Sequence, residues 1–523
     1  MSATRTTAPR FGTFGGVFTP CTLTILGVIM FLRFGHVVGE AGLWGALGIV
    51  VAAKVITSLT ALSLAAISSN TRVQGGGAYF MISRSLGVEF GGSIGVVFYL
   101  AQAISVAMYV IGFTEAAVAT VPALEPHAQA VASGVNAVVF VCVFIGAGWT
   151  IKVQYGILAA LVVSLLSFGA GGVMAFDGEV LAGNLQPLVP GAGLLGLLPA
   201  FALFFPAATG IMAGANMSGD LADPGRAIPR GTLGAIGATA VVYLVMALLL
   251  AGGAPRGELV GGNMIVRDLA AFGPAITLGI FAATLSSAIG SMMGAPRILQ
   301  ALARDRVFRT LRPFSVASGG EPRRAIVVTF LIAQAALMLG SLDAIAPIIT
   351  MFFMVTYGYL NLATFYEAYT KNPSYRPTFR WTHWSMALLG TVLCGAVMLL
   401  IAPLWAALAI LCMAGLHWML ARRRIQTTWG DVRSGAAYDR ARRQLLWLEE
   451  EDAFWMLTAL VEQICVVTID EESRALAVNQ EPAHYFAPEM TGVRADQRVF
   501  ADLLKEHSHT VFEAFSDNCV DIL

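Results

Sequence analysis

The chain has 523 residues, 57% hydrophobic and only 12% charged, with acidic and basic residues in equal number. A soluble protein carries roughly twice that charged fraction, so a soluble globular fold is excluded and the bilayer is the solvent. No nucleic-acid partner is expected; membrane lipid is.

The first residues are polar and the first apolar run is as long as a full span. A cleavable signal peptide is therefore not expected. Apolar runs of roughly 18 or more residues number about twelve. They centre near Ile29, Ala52, Ala107, Val141, Val163, Pro206, Val245, Ala283, Ile332, Met354, Leu393 and Ile410. With a cytoplasmic N-terminus, Arg5, Arg10, Arg72, Arg84, Lys152, Arg226, Arg230, the arginines from Arg297 to Arg324, Lys371, Arg376, Arg380 and Arg422 to Arg424 all fall inside. Mainly Arg256 and Arg267 remain outside. The positive-inside rule thus puts both termini in the cytoplasm of a multi-pass protein, with the cell membrane as the expected location. Cys21, Cys142, Cys394 and Cys412 lie in spans, Cys465 and Cys519 in the tail, without metal or redox spacing.

A short cytoplasmic segment (1–11), a transmembrane domain (12–421) and a cytoplasmic C-terminal region (422–523) are expected. Within that last region Tyr438 to Glu451 reads as an amphipathic helix, Ile464 to Ile469 as a strand and Phe500 to Phe515 as a helix.

Two spans stand apart. The first contains Gly15, Gly16, Pro20 and Gly27, and the sixth contains Pro206, Gly210 and Gly214. Proline removes a helix hydrogen bond and glycine permits the broken backbone that results. Irregular backbone at membrane depth is tolerated where it lines a cavity, although kinked packing helices are the plainer alternative. Interrupted helices five spans apart point to two inverted five-helix repeats. The fold class is therefore an all-α membrane protein of about twelve helices, the first ten as inverted repeats with helices 1 and 6 broken.

A break exposes carbonyls at the end of its first half and amides at the start of its second. In the first span the carbonyls of Leu23 to Leu26 suit dehydrated cations, and the amides of Gly27, Val28 and Ile29 suit an anion. In the sixth, Pro206 and Thr209 precede the amides of Gly210, Ile211 and Met212. No Asp or Glu lies at these breaks. A bare cation in a low-dielectric site is costly, so cations and anions binding together would be cheaper. The four lysines, Lys54, Lys152, Lys371 and Lys505, never follow glycine, so no P-loop is present. That leaves secondary transport without cofactor and without catalysis of a covalent step.

The stretch Gly16 to Arg33, GVFTPCTLTILGVIMFLR, resembles the first helix of the cation-chloride cotransporters, a branch of the amino acid–polyamine–organocation superfamily. The resemblance continues at Val73 to Tyr79 and Ile82 to Gly87, and is strongest at Phe204 to Arg230 and Ala282 to Asp305. It covers nearly the whole membrane domain and fades in the tail, where only Trp429-Gly430 and the following helix are family-like. No counterpart of the large regulatory domain or of the long phosphorylated N-terminal segment of animal members is expected.

The resemblance implies sodium at the carbonyls of Leu23, Leu26 and Ala283 and the hydroxyls of Ser286 and Ser287. It implies potassium at the carbonyls of Thr24, Ile25 and Pro206, the Thr209 hydroxyl and the Tyr109 phenol. One chloride is implied at Gly27, Val28 and Ile29, and another at Gly210, Ile211 and Met212 with the Tyr357 phenol as donor. The paired serine together with Tyr109 implies a sodium–potassium–chloride type. Thr24 stands where the family usually has Asn. Plainer roles are back-bonded hydroxyls for the serines and packing for the tyrosines.

Arg33 and Glu115 on the outer side, and Asp220 with Arg297 following the eighth span inside, are candidate gating charges. Lys54, about twelve residues into the second span, is unexplained by the resemblance. Ser58, Ala61 and Ala65 follow it as a small-residue stripe. It either holds helices together or tunes a nearby site. The expected activity is electroneutral cotransport of chloride with sodium and potassium, with alkali cations as the metals involved. The alternatives are an amino-acid or organocation permease, or a chloride cotransporter using one cation. A homodimer is one expected assembly.

Overall fold

The computed structural model describes residues 11–70, 76–145, 150–187, 193–216, 218–262, 264–316, 321–370, 375–401, 403–422, 466–469 and 476–479. All twelve predicted segments are helical. Ten are long and apolar enough to cross a membrane. These are the first to eighth spans, Phe14–Leu32, Phe34–Asn70, Phe90–Thr120, Pro122–Ile145, Val153–Met174, Leu198–Asn216, Pro224–Gly253 and Gly273–Arg304, with the tenth and eleventh, Leu342–Tyr369 and Trp384–Ile401. The ninth, Arg323–Leu337, is shorter, and the twelfth is Pro403–Arg422.

Equivalent members of the two repeats pack on one another: the first span on the sixth, the second on the seventh, the third on the eighth and the fourth on the ninth. The core therefore sits around the first span, which is enclosed over most of its surface, while the fourth, fifth and eleventh show mostly apolar side chains outward. Exposed Val141, Val163, Leu166 and Leu389 on those spans are what a lipid-facing surface requires.

The second span is not one straight helix. Gly42 has φ +66° and ψ 173°, and a Cβ there would stand 2.2 Å from the Gln186 carbonyl oxygen, so only glycine fits. Leu43 N–H donates to the Asn184 carbonyl, and the helix runs on from there to Asn70.

The chain divides into two compact units, Met1–Thr370 with Tyr375–Gln426, and Lys371–Ser374 with Thr427–Leu523. The described part of the second unit is an antiparallel pair, Val466–Ile469 with Leu476–Asn479. The first strand matches the stretch read from Ile464 to Ile469; the second was not anticipated. The expected helices Tyr438 to Glu451 and Phe500 to Phe515 lie outside the described residues.

Candidate ion-binding cavity

The first span opens as a π-helical turn, Phe14–Phe18, continues as Thr19–Ile25, breaks, and resumes as Val28–Leu32. The break occupies Leu26 (φ −88°, ψ 46°) and Gly27 (φ −97°, ψ −146°). Glycine is needed there because a Cβ would lie 2.9 Å from the Thr24 carbonyl oxygen.

The sixth span is interrupted differently. Its α-helix Leu198–Phe204 tightens into a 3₁₀ stretch, Phe205–Met212, before Ala213–Asn216. Proline at its start removes one α-type donor, and the chain answers by shifting to i→i+3 bonds rather than unwinding. The amides of Gly210, Ile211 and Met212, expected as a free half-helix start, therefore lie inside a continuous 3₁₀ ladder. Gly210 is where the two interruptions touch: a Cβ there would lie 2.9 Å from Ile25 N and from Thr24 Cβ.

Between the interruptions lies a cavity of about 30 Å³, lined by Thr24, Tyr109, Thr209, Gly210 and Ser286 of the expected residues. Gln102, Gln154, Asn216 and Ser291 also line it and were missed. Their signal was a lone amide or hydroxyl in an apolar span. Every polar group in this lining is neutral, so the cavity is rich in oxygen donors and carries no carboxylate.

The individual donors differ in how committed they are. Tyr109 and Ser286 are buried, line the cavity, and have no hydrogen-bond partner among the described residues. The Gln154 Oε1 atom is likewise buried without a partner. Ser287 Oγ donates to the Leu23 carbonyl across 3.5 Å, and Leu23, Leu26 and Ala283 are buried around it. By contrast, Thr24 Oγ1 bonds back to Pro20 O at 2.8 Å and Thr209 Oγ1 to Pro206 O at 2.7 Å. The Tyr357 hydroxyl donates to the Thr209 carbonyl at 2.5 Å. Val28 and Ile29 are fully enclosed, so the amides after Gly27 face packed side chains on most sides.

Tyr243 of the seventh span was missed. Its hydroxyl donates to the Ile25 carbonyl at 2.7 Å, the oxygen expected to face potassium. Its ring packs edge-on against Phe34 and Phe204.

Charged groups mark both ends. Arg33, at the end of the first span, bonds Glu115 Oε2 at 3.0 Å and Asp343 Oδ1 at 2.8 Å. The expected Arg33–Glu115 pair thus includes a third member, Asp343, in the first turn of the tenth span. Glu115 Oε1 also accepts from Leu342 N–H, tying three spans together. At the other end Arg297 does not follow the eighth helix but lies inside it, since the helix runs on to Arg304. The Asp220 side chain lies outside the described residues. A cluster not anticipated there joins Arg84 to Asp305 by two bonds, 2.8 and 3.1 Å, with the Tyr79 hydroxyl on the same carboxylate at 2.6 Å. Burial, and then the Asp305 carboxylate, push the Tyr79 phenol well above its usual range, so it stays a donor.

The amino acid permease family model matches residues 16–441. Solute carrier family 12 member 1 of Homo sapiens is 36% identical over 488 residues, covering 82% of this chain and 44% of that protein. Solute carrier family 12 member 2 of Squalus acanthias is 36% identical over 493 residues, 82% of this chain and 41% of the relative. Solute carrier family 12 member 9 of Danio rerio is 34% identical over 502 residues, 86% of this chain and 56% of the relative. The chain thus spans less than half the length of the first two of these relatives.

Proposed function

Because the chain belongs to the amino acid permease family, a family of membrane transporters, we propose that it moves chloride together with sodium and potassium, electroneutrally, by alternating access around the cavity between the first and sixth spans. The observation that carries this reading is the cavity's size and chemistry. About 30 Å³ accommodates roughly two particles the size of a water molecule, which suits dehydrated monatomic ions but, in this conformation, not all four ion positions at once. An amino acid brings an ammonium as well as a carboxylate, and no carboxylate in this lining answers the ammonium.

In this reading Ser286 and Ser287 complete a sodium position with the Leu23, Leu26 and Ala283 carbonyls. Tyr109 completes a potassium position with Thr24, Ile25, Pro206 and Thr209. Hard oxygen donors without charge favour alkali cations over divalent ones, which draw on carboxylates. Chloride beside them at Gly27, Val28 and Ile29 offsets the cation charge. Its second position, at Gly210, Ile211, Met212 and Tyr357, requires the 3₁₀ turn to loosen and the Tyr357 hydroxyl to leave the Thr209 carbonyl. Arg33, Glu115 and Asp343 close the outer mouth; Asp220 and Arg297 act at the inner one. Both termini face the cytoplasm and the host is the cell membrane.

The motif-level resemblance to cation-chloride cotransporters supports this choice. So does the bulk of Leu26, Val28 and Ile29 at the first break. The family description favours a second reading, amino-acid transport. Ion-replacement flux in proteoliposomes separates them. Rubidium uptake should require both sodium and chloride and should generate no current. Chloride-independent uptake refutes the cotransport reading, sodium-independent uptake reduces it to one cation, and amino-acid-dependent flux replaces it.

A further inference from the structure

Lys54 lies well inside the second span, Phe34–Asn70, and is only 7% exposed. Among the described residues it makes no ion pair. Its ammonium donates to Thr239 Oγ1 at 2.7 Å and stands 5.3 Å from the centre of the Tyr243 ring. The Thr239 hydroxyl donates in turn to the Ile236 carbonyl at 3.2 Å, leaving its oxygen free to accept from lysine. On its far side Tyr243 holds the Ile25 carbonyl. One tyrosine therefore separates a buried lysine side chain from a carbonyl of the first break.

We propose that Lys54 and Tyr243 form a charge-setting support behind the cation position. The phenol holds the Ile25 carbonyl in place, while the ammonium behind the ring lowers affinity for the cation and raises it for chloride. The proposal rests on the reading that ions occupy this cavity. The physical logic is that of any carrier: a site must bind well enough to load and weakly enough to release. A buried positive charge costs free energy wherever it sits, and among the described residues no carboxylate pairs with this one. The ring face offers partial compensation. A cation over the face also polarises the phenol, strengthening its bond to the carbonyl.

Two like charges about 10 Å apart at an effective dielectric near 20 oppose each other by roughly tenfold in affinity. The signs then separate the roles. Lys54→Met should lower the half-saturating rubidium concentration about tenfold and raise that of chloride by a similar factor. Lys54→Arg keeps the charge and should restore both toward wild type. Tyr243→Phe keeps the ring but frees the Ile25 carbonyl, so rubidium affinity should fall while chloride changes little.

These constants are read from tracer flux in proteoliposomes reconstituted from monodisperse full-length protein. Lys54→Met constants that stay at wild type, or move in the same direction for both ions, overturn the proposal and leave a structural lysine. If Lys54→Met does not fold, an unchanged rubidium constant in Tyr243→Phe overturns it equally. A wild-type chain without chloride-dependent rubidium flux refutes the transport reading itself, which is a different outcome.

Discussion

Ser286 and Ser287 allow the sodium position to be tested with little disturbance of the fold. One helical step apart, their side chains point about 100° from each other. Ser286 lines the cavity with no hydrogen-bond partner among the described residues, and Ser287 Oγ reaches the Leu23 carbonyl only at 3.5 Å. Neither bonds back to its own helix, as Thr284, Thr329 and Thr350 do at 2.7 to 2.8 Å. Removing either hydroxyl should therefore cost at most about 1 kcal/mol of stability. An interaction with a charged partner is worth about 1.5–3 kcal/mol, so each Ser→Ala change should weaken sodium roughly tenfold to a hundredfold. The double variant Ser286→Ala, Ser287→Ala should lose sodium dependence over any practical concentration range. The assay is rubidium uptake as a function of sodium, with thermal unfolding of the same preparation as control. A double variant that unfolds like wild type and keeps the wild-type sodium constant refutes the assignment.

Tyr109→Phe should raise the half-saturating rubidium concentration about tenfold and sodium's less, with unfolding unchanged, because the phenol has no hydrogen-bond partner among the described residues to lose; equal small effects on both ions would mean it only packs. Asp343→Asn removes one of the two carboxylates on Arg33, an interaction worth up to about 1 kcal/mol in a partly exposed pair. A Ser286→Cys reporter should then react up to about fivefold faster with an impermeant thiol reagent added outside; an unchanged rate would remove Asp343 from the outer gate. Gly42→Ala forces a side chain into backbone at φ +66°. It should destabilise the protein by at least about 1–3 kcal/mol, measured as a lowered unfolding temperature.

Apolar run length alone placed all twelve helices, because span length depends only on bilayer thickness and helical rise, both local quantities. Gly27 and Pro206 marked the two interruptions for the same reason: each changes what its own backbone can do. The form of the second interruption was not legible. Whether a proline-bearing turn unwinds or tightens depends on what packs against it, and at Gly210 that is Thr24 and Ile25 of another span. The partners of the charged and phenolic groups were equally hidden. Glu115 stood out as a charge near the outer end of its span, but Asp343 looked like an ordinary helix-start acid until the fold set it on Arg33. Tyr243 gave no sign of its role, since its hydroxyl meets a carbonyl 218 residues away in the chain. Lys54 was conspicuous in sequence because burying a charge is costly, yet the ring and hydroxyl that receive it belong to the seventh span. A residue's chemistry and its helix are written locally; which oxygen it faces is decided by packing between distant segments, and only the tertiary structure carries that.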